Sequence, residues 1–141
     1  MEYKCPGITA DIIVEKNGMV LLIRRGNDPF KGMYAIPGGF LEYGKERLEE
    51  TAKRELQEET SLIVKLNDLE LIGVYSNPQR DPRGHVVSHV YVARNYNGIV
   101  EAGDDADRYQ WFNLDSLPQL AFDHNIILED FTKWKRKNII V

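Results

Sequence analysis

The segment Arg54-Glu55-Leu56-Gln57-Glu58-Glu59 limits what this chain can fold into more than any other. Its pattern predicts the late turns of a helix that opens near Glu46 and ends near Thr60-Ser61. On that helix Leu48 and Ala52 begin an apolar row. Continued at steps of three and four, the row reaches Glu55 and Glu59, where a core-facing helix ordinarily carries Leu or Ile. Glu58 adjoins Glu59 and stands three positions from Glu55, so the three carboxylates can gather at one end of the helix. Carboxylates that are close and partly dry repel strongly unless a cation lies among them. Oxygen donors in this number select a hard ion, Mg²⁺ or Mn²⁺, over zinc. Glu49 and Glu50 fit an ordinary solvated helix face.

The chain has 141 residues, so a single domain over 1–141 is expected, and 43% hydrophobic residues can fill its core. Net charge is −4 with no basic block, which argues against a nucleic-acid partner. One cysteine, Cys5, leaves no internal disulfide and no metal-ligand spacing. Met1-Glu2-Tyr3-Lys4 runs into Cys5-Pro6-Gly7 without an apolar leader, and no apolar run is long enough to span a membrane. A reduced, cytoplasmic setting is the expectation.

Ile8 to Glu15 and Met19 to Arg25 read as strands around the hairpin signal Lys16-Asn17-Gly18. Gly26 to Gly32 is a loop, Met33 to Ile36 a short apolar piece, and Pro37-Gly38-Gly39 a tight turn that permits close backbone approach. Leu62 to Lys65, Leu69 to Tyr75, His85 to Arg94 and Tyr109 to Leu114 read as strands. A loop with two prolines runs from Asn77 to Gly84, and an acidic loop from Glu101 to Asp107. Asp123 is placed to cap a last helix with a buried row of Ile127, Phe131 and Trp134. Several strands and two helices in mixed order define an α/β (α+β) class.

From Gly39 to Leu62 the chain reads GFLEYGKERLEETAKRELQEETSL. This resembles the Nudix box, an ordered glycine–glutamate–REUxEExGU signature in which U is a bulky aliphatic residue. Two departures stand out. Lys45 lengthens the loop between Gly39 and Glu46 by one residue, and Ser61 replaces the glycine that helps end the helix. Neither removes a carboxylate. The resemblance implies a Nudix fold, a mixed β-sheet sandwiched between α-helices, and hydrolysis of a nucleoside diphosphate linked to another group. It implies that Glu55, Glu58 and Glu59 bind metal, that Arg54 orients them, that Gly38 or Gly39 adds a backbone carbonyl, and that Glu46 supports the loop or an outer ion. Mg²⁺, or Mn²⁺ in its place, is the implied cofactor, and a homodimer is a common assembly in the family.

The rest of the chain bears on substrate. Pro78 lies sixteen residues beyond Leu62. A proline at about that distance is a feature of Nudix ADP-ribose pyrophosphatases, and the segments around 75–85, 102–106 and 120–124 resemble small members of that group. ADP-ribose, split to AMP and ribose 5-phosphate, is the implied reaction. A nucleoside triphosphate or another nucleotide sugar is the alternative substrate, and a non-catalytic ligand-sensing domain the alternative class. Arg80 and Arg83 suit phosphate or ribose oxygens. Of Arg24 and Arg25, strand alternation turns one toward the site, and Arg25 is the candidate. Phe30, Tyr34 and Tyr75 are candidates to stack on adenine. Glu101, Asp104 and Asp105 are candidates for a fourth carboxylate or general base, with Glu55 or Glu59 as the other possibility. His85, His89 and His124 lack ligand spacing and read as structural or surface residues.

Overall fold

Two apolar, β-branched runs far apart in sequence meet at the centre of the molecule. In the computed structural model, which describes residues 4–103 and 106–138, strand β1 (Gly7–Ile13) lies parallel to β7 (Val86–Ala93), with Asp11 opposite Val90. The other edge of β1 pairs antiparallel with β5 (Gly38–Phe40), and β6 (Leu69–Tyr75) pairs antiparallel with β7. The strand order is β5-β1-β7-β6. In a second sheet β3 (Met19–Arg25) pairs along its length with β8 (Ala106–Asn113). Two short strands, β2 (Glu15–Lys16) and β4 (Tyr34–Ala35), pair with opposite ends of β3. Asn17 and Gly18 both have positive φ, 53° and 78°, the backbone that an Asn-Gly hairpin turn favours.

Strand alternation divides the core into two layers. Ala10, Ile12, Leu21 and Tyr91 pack with Ala52 and Leu56 of α1 (Leu48–Thr60). Ile13, Val20, Leu22, Val90 and Val92 pack with Ile127, Leu128 and Phe131 of α2 (His124–Lys137). Neighbours in one strand thus face opposite helices, and the sheets lie between them. No helix among the described residues is long and apolar enough to cross a membrane.

Several local expectations are corrected. Pro37-Gly38-Gly39 is not a tight turn: Gly38 and Gly39 enter β5, opposite Asp11 and Ala10. Leu62 to Lys65 forms no strand, only a bridge from Ile63 to Asn97, with Leu62 and Val64 buried in the core. Helix α1 starts at Leu48, later than expected, with the Glu50 carboxylate accepting from the Arg47 N–H at 2.9 Å. Ser61 ends α1 in the left-handed region, φ 67°, with its N–H donating to the Gln57 carbonyl. A serine therefore performs the turn that glycine makes at lower cost. Asp123 does precede α2, but its carboxylate caps nothing; Arg80 takes it. Trp134 is only half-buried, and His124, Ile127, Leu128 and Phe131 form the buried row.

Candidate active site

The end of α1 comes down onto β5 because both glycines of that strand lack side chains. A Cβ on Gly39 would stand 2.5 Å from Glu55 Oε1, and one on Gly38 would collide with Asp11 and the Ala10 carbonyl. The Gly38 N–H donates to Glu59 Oε1 at 2.9 Å. Glu59 is only 6% exposed. Burial pushes its carboxyl well above the usual range, and repulsion from Glu55 and Asp11 adds to the rise. Glu55 shifts the same way, chiefly through burial.

Arg54 is the cation in this cluster. Its Nε and Nη2 grip Glu46 at 3.1 and 2.8 Å. Its Nη1 donates to Glu55 at 2.7 Å and to Glu58 at 3.2 Å, and Nη2 also reaches the Phe40 carbonyl at 3.1 Å. The Arg54 hydrogen bonds hold the Glu46 carboxyl down at about 2. Glu46 also accepts from the Glu42 N–H and the Thr51 hydroxyl, so it fixes the loop that enters the helix. Lys45 and Gly44 lie exposed on that loop, with the Lys45 N–H donating to the Glu42 carbonyl at 3.2 Å. Convergence of the three carboxylates is partial. Glu58 is exposed and turned to Arg54, and among the described residues no three Asp, Glu, His or Cys side chains enclose a ready-made metal cage.

A cleft of about 370 Å³ opens over Glu55 and Glu59. Arg25, Arg54, Arg80 and Arg83 all line it, as do Gly38 and Gly39. Arg25 donates to the Pro29 carbonyl and lies 5.0 Å from the Phe122 ring centre. Arg83 pairs with Asp81 and stands between Phe40 and Phe122, at 4.9 and 5.5 Å. The Arg80 side chain, 3% exposed, is held by Asp123 at 2.9 and 2.7 Å. Pro78 is exposed on its loop and is not part of the cleft lining. Tyr34 also lies off the lining. Strand alternation gives the cleft Ala35 instead, and the Tyr34 ring packs edge-on to Phe112. Tyr75 donates to Asp130 on α2, and Phe30 packs on Phe122 from outside the lining. Glu101 is exposed and off the lining, although its N–H donates to the Thr60 carbonyl and that of Gly103 to the Glu59 backbone carbonyl. Asp104 and Asp105 lie outside the described residues.

Residues not foreseen complete the cleft: Asp11, Phe40, Asp81, Phe122 and His124. Asp11 is buried, accepts from the Ser88 hydroxyl, and is pushed up to about 6 by burial. A lone Asp within the apolar run Ile8 to Ile13 was its sequence signal. Phe122 takes φ 53°, which is costly for a bulky side chain. His85 and His89 approach the carbonyls of Ser76 and Thr9.

The glycine strand, the carboxylate-bearing helix end and the arginine-lined cleft recur in known proteins. Residues 6–135 match the NUDIX domain. The chain belongs to the Nudix family. It is 50% identical to an ADP-ribose pyrophosphatase from Methanocaldococcus jannaschii, over 94% of this chain and 77% of that one. It is 31% identical to an ADPR responsive transcriptional repressor from Acinetobacter baylyi, over 91% of this chain and 54% of that one. A bifunctional NMN adenylyltransferase/ADP ribose pyrophosphatase from Francisella tularensis, solved with AMP and a manganese ion, superposes with TM-score 0.82. That match has 27% identity and covers 95% of this chain and 43% of the other.

Proposed function

We propose that this chain is a Mg²⁺-dependent hydrolase that cleaves ADP-ribose to AMP and ribose 5-phosphate. The observation that carries it is the seating of Glu55 and Glu59 on the glycine strand, beside Arg54, at the floor of an arginine-lined cleft. Support for the substrate comes from the archaeal relative, and support for a divalent ion from the manganese-containing structure.

The donor set fits a hard divalent cation. Buried Glu59 shares its surroundings with Glu55 and Asp11, and all offer oxygen. Glu55, Glu58 and Glu59 would hold the ion, with a carbonyl of Gly38 or Gly39. When bound, it supplies charge neutralisation at the pyrophosphate and a water of lowered pKa. Arg54 keeps the carboxylates in register, and Glu46 keeps Arg54 in place. Arg25 and Arg83 face the cleft and bind substrate oxygens. Water attacks one phosphorus, the bridging P–O bond breaks, and the bridging oxygen leaves with the other phosphate. The general base is Glu55, Glu59 or an acidic-loop carboxylate among Glu101, Asp104 and Asp105. The amides of Glu101 and Gly103, bonded to the last turn of α1, support the loop's candidacy. A single domain over 1–141, a homodimer and a cytoplasmic setting complete the reading. Leu71 and Val74, half-exposed on the edge strand β6, support the homodimer.

The test is hydrolysis of ADP-ribose beside triphosphates, NADH and other nucleotide sugars, with and without Mg²⁺, for the wild type and Glu58→Gln/Glu59→Gln. Selective, metal-dependent release of AMP, lost in the double variant, is expected. Turnover of other compounds alone would replace the substrate. The repressor relative motivates a second reading, a ligand sensor, which requires ADP-ribose binding without turnover.

A further inference from the structure

Two amides flanking Pro37 are held by side chains from opposite helices. The Ile36 N–H donates to His124 Nδ1 at 3.0 Å, and the Gly38 N–H to Glu59 Oε1 at 2.9 Å. Between them Pro37 has no N–H and a fixed φ. Its carbonyl accepts from the Ile12 N–H at 2.8 Å, and the Tyr34 carbonyl accepts from the Ala121 N–H at 2.9 Å. The stretch from Tyr34 to Gly38 is therefore stitched at each end and stiff in the middle. His124 is itself fixed. It is 3% exposed, and it follows Asp123, which grips Arg80. Burial pushes its imidazole down to about 3, which keeps Nδ1 an acceptor.

We propose that His124 is a positioning residue for the carboxylate cluster: through Ile36 and Pro37 it fixes Gly38, and Gly38 fixes Glu59. The proposal rests on the reading of Glu59 as a metal ligand. Without the imidazole, the buried Ile36 amide loses its partner, a cost that drives the segment to move. Pro37 passes that movement to Gly38, whose N–H then no longer meets Glu59 Oε1. Outer partners of this kind tune metal affinity because they set the direction of the ligand oxygen.

The test compares His124→Asn, His124→Gln and His124→Leu. Asn can offer an oxygen where Nδ1 stands; Gln sets its polar group farther out, and Leu offers none. Mn²⁺ binding is measured by electron paramagnetic resonance without nucleotide, beside thermal unfolding and the Mg²⁺ dependence of hydrolysis. Gln and Leu are expected to weaken Mn²⁺ binding by about 10-fold or more, and Asn to restore it to within about 3-fold. The Mg²⁺ requirement of hydrolysis should rise in the same order. Should the Leu variant fail to fold, Gln against Asn carries the comparison. Unchanged Mn²⁺ binding in folded Gln or Leu variants, or equal loss in the Asn variant, would overturn the proposal alone. A wild-type chain that binds no Mn²⁺ would overturn the metal reading and the proposal with it.

Discussion

Asp11 stands across the β1–β5 ladder from Gly38, close enough that a Cβ on that glycine would strike its carboxylate. The same added atom would meet the Ala10 carbonyl and the Asp11 Cα, which belong to the backbone. At Gly39 the three atoms nearest an added Cβ all belong to the Glu55 carboxylate, the far end of a side chain. Gly38→Ala is therefore expected to unfold or markedly destabilise the protein. Gly39→Ala should leave a folded chain with hydrolysis lowered by about 100-fold or more, since a displaced reacting group of about 1 Å already costs that much. Thermal unfolding and turnover of the two variants check the contrast. Equal stability in both would refute it.

Ser61 is the clearest place to gain stability. Its φ of 67° is costly for an L side chain and free for glycine. Ser61→Gly should raise stability by about 1 kcal/mol, or roughly 3–5 °C in Tm for a domain of this size. Turnover should be unchanged, because the residue is exposed and its N–H donates back to the Gln57 carbonyl. A lower Tm would show that the gain is outweighed by added freedom of the unfolded chain.

Glu46 is read here as support for Arg54 and not as a residue that meets the substrate. Glu46→Gln removes the charge from a two-pronged pair and should cost about 2 kcal/mol of stability. Arg54→Lys keeps the charge but cannot reach Glu46, Glu55 and Glu58 together. It should lower kcat by about 10- to 100-fold, and the Mg²⁺ requirement should rise as the carboxylates lose register. Kinetics across a Mg²⁺ series tests both variants. An unaltered kcat in Arg54→Lys would remove the guanidinium from its proposed role.

Without metal, stability should fall as pH rises through the mildly acidic range. Burial raises Asp11 from an ordinary value of 3.8 to about 6 in the folded protein. Between those values the folded state holds more protons than the unfolded one, so its advantage is complete below about 4 and lost through about 6. Glu59 shifts in the same direction. Glu46 acts oppositely: its folded value is about 2 against 4.5, so its contribution is present above 4.5 and lost as pH falls toward 2. Urea unfolding in chelator from pH 4 to 7.5 should show the decline. Asp11→Asn should reduce it by up to about 3 kcal/mol across the window. An identical slope in wild type and variant would count against this account.

Long-range periodicity made much of the fold legible. The strands at Met19 to Arg25 and Leu69 to Tyr75 carry their own apolar, β-branched pattern, and the structure places them as expected. The carboxylates of α1 were legible because charge occupied an apolar row. What stayed hidden depends on partners in space. Gly38 and Gly39 read as a turn by composition, and only the proximity of β1 makes them a strand. No local pattern announces that Asp123, forty-three residues away, holds both sides of the Arg80 guanidinium. Tyr34 and Phe122 exchange roles for a similar reason: strand alternation turns the first from the cleft, while an uncommon φ in the second accompanies its place in the lining.

The spread of Arg54 over Glu46, Glu55 and Glu58 means that the cluster carries its own counter-ion. For a divalent ion held as proposed, loading would be an exchange and not a simple filling: the ion would compete with a tethered guanidinium for Glu55 and Glu58, while Arg54 keeps Glu46 and the Phe40 carbonyl as partners. Occupancy of such a site would follow the free cation concentration around it.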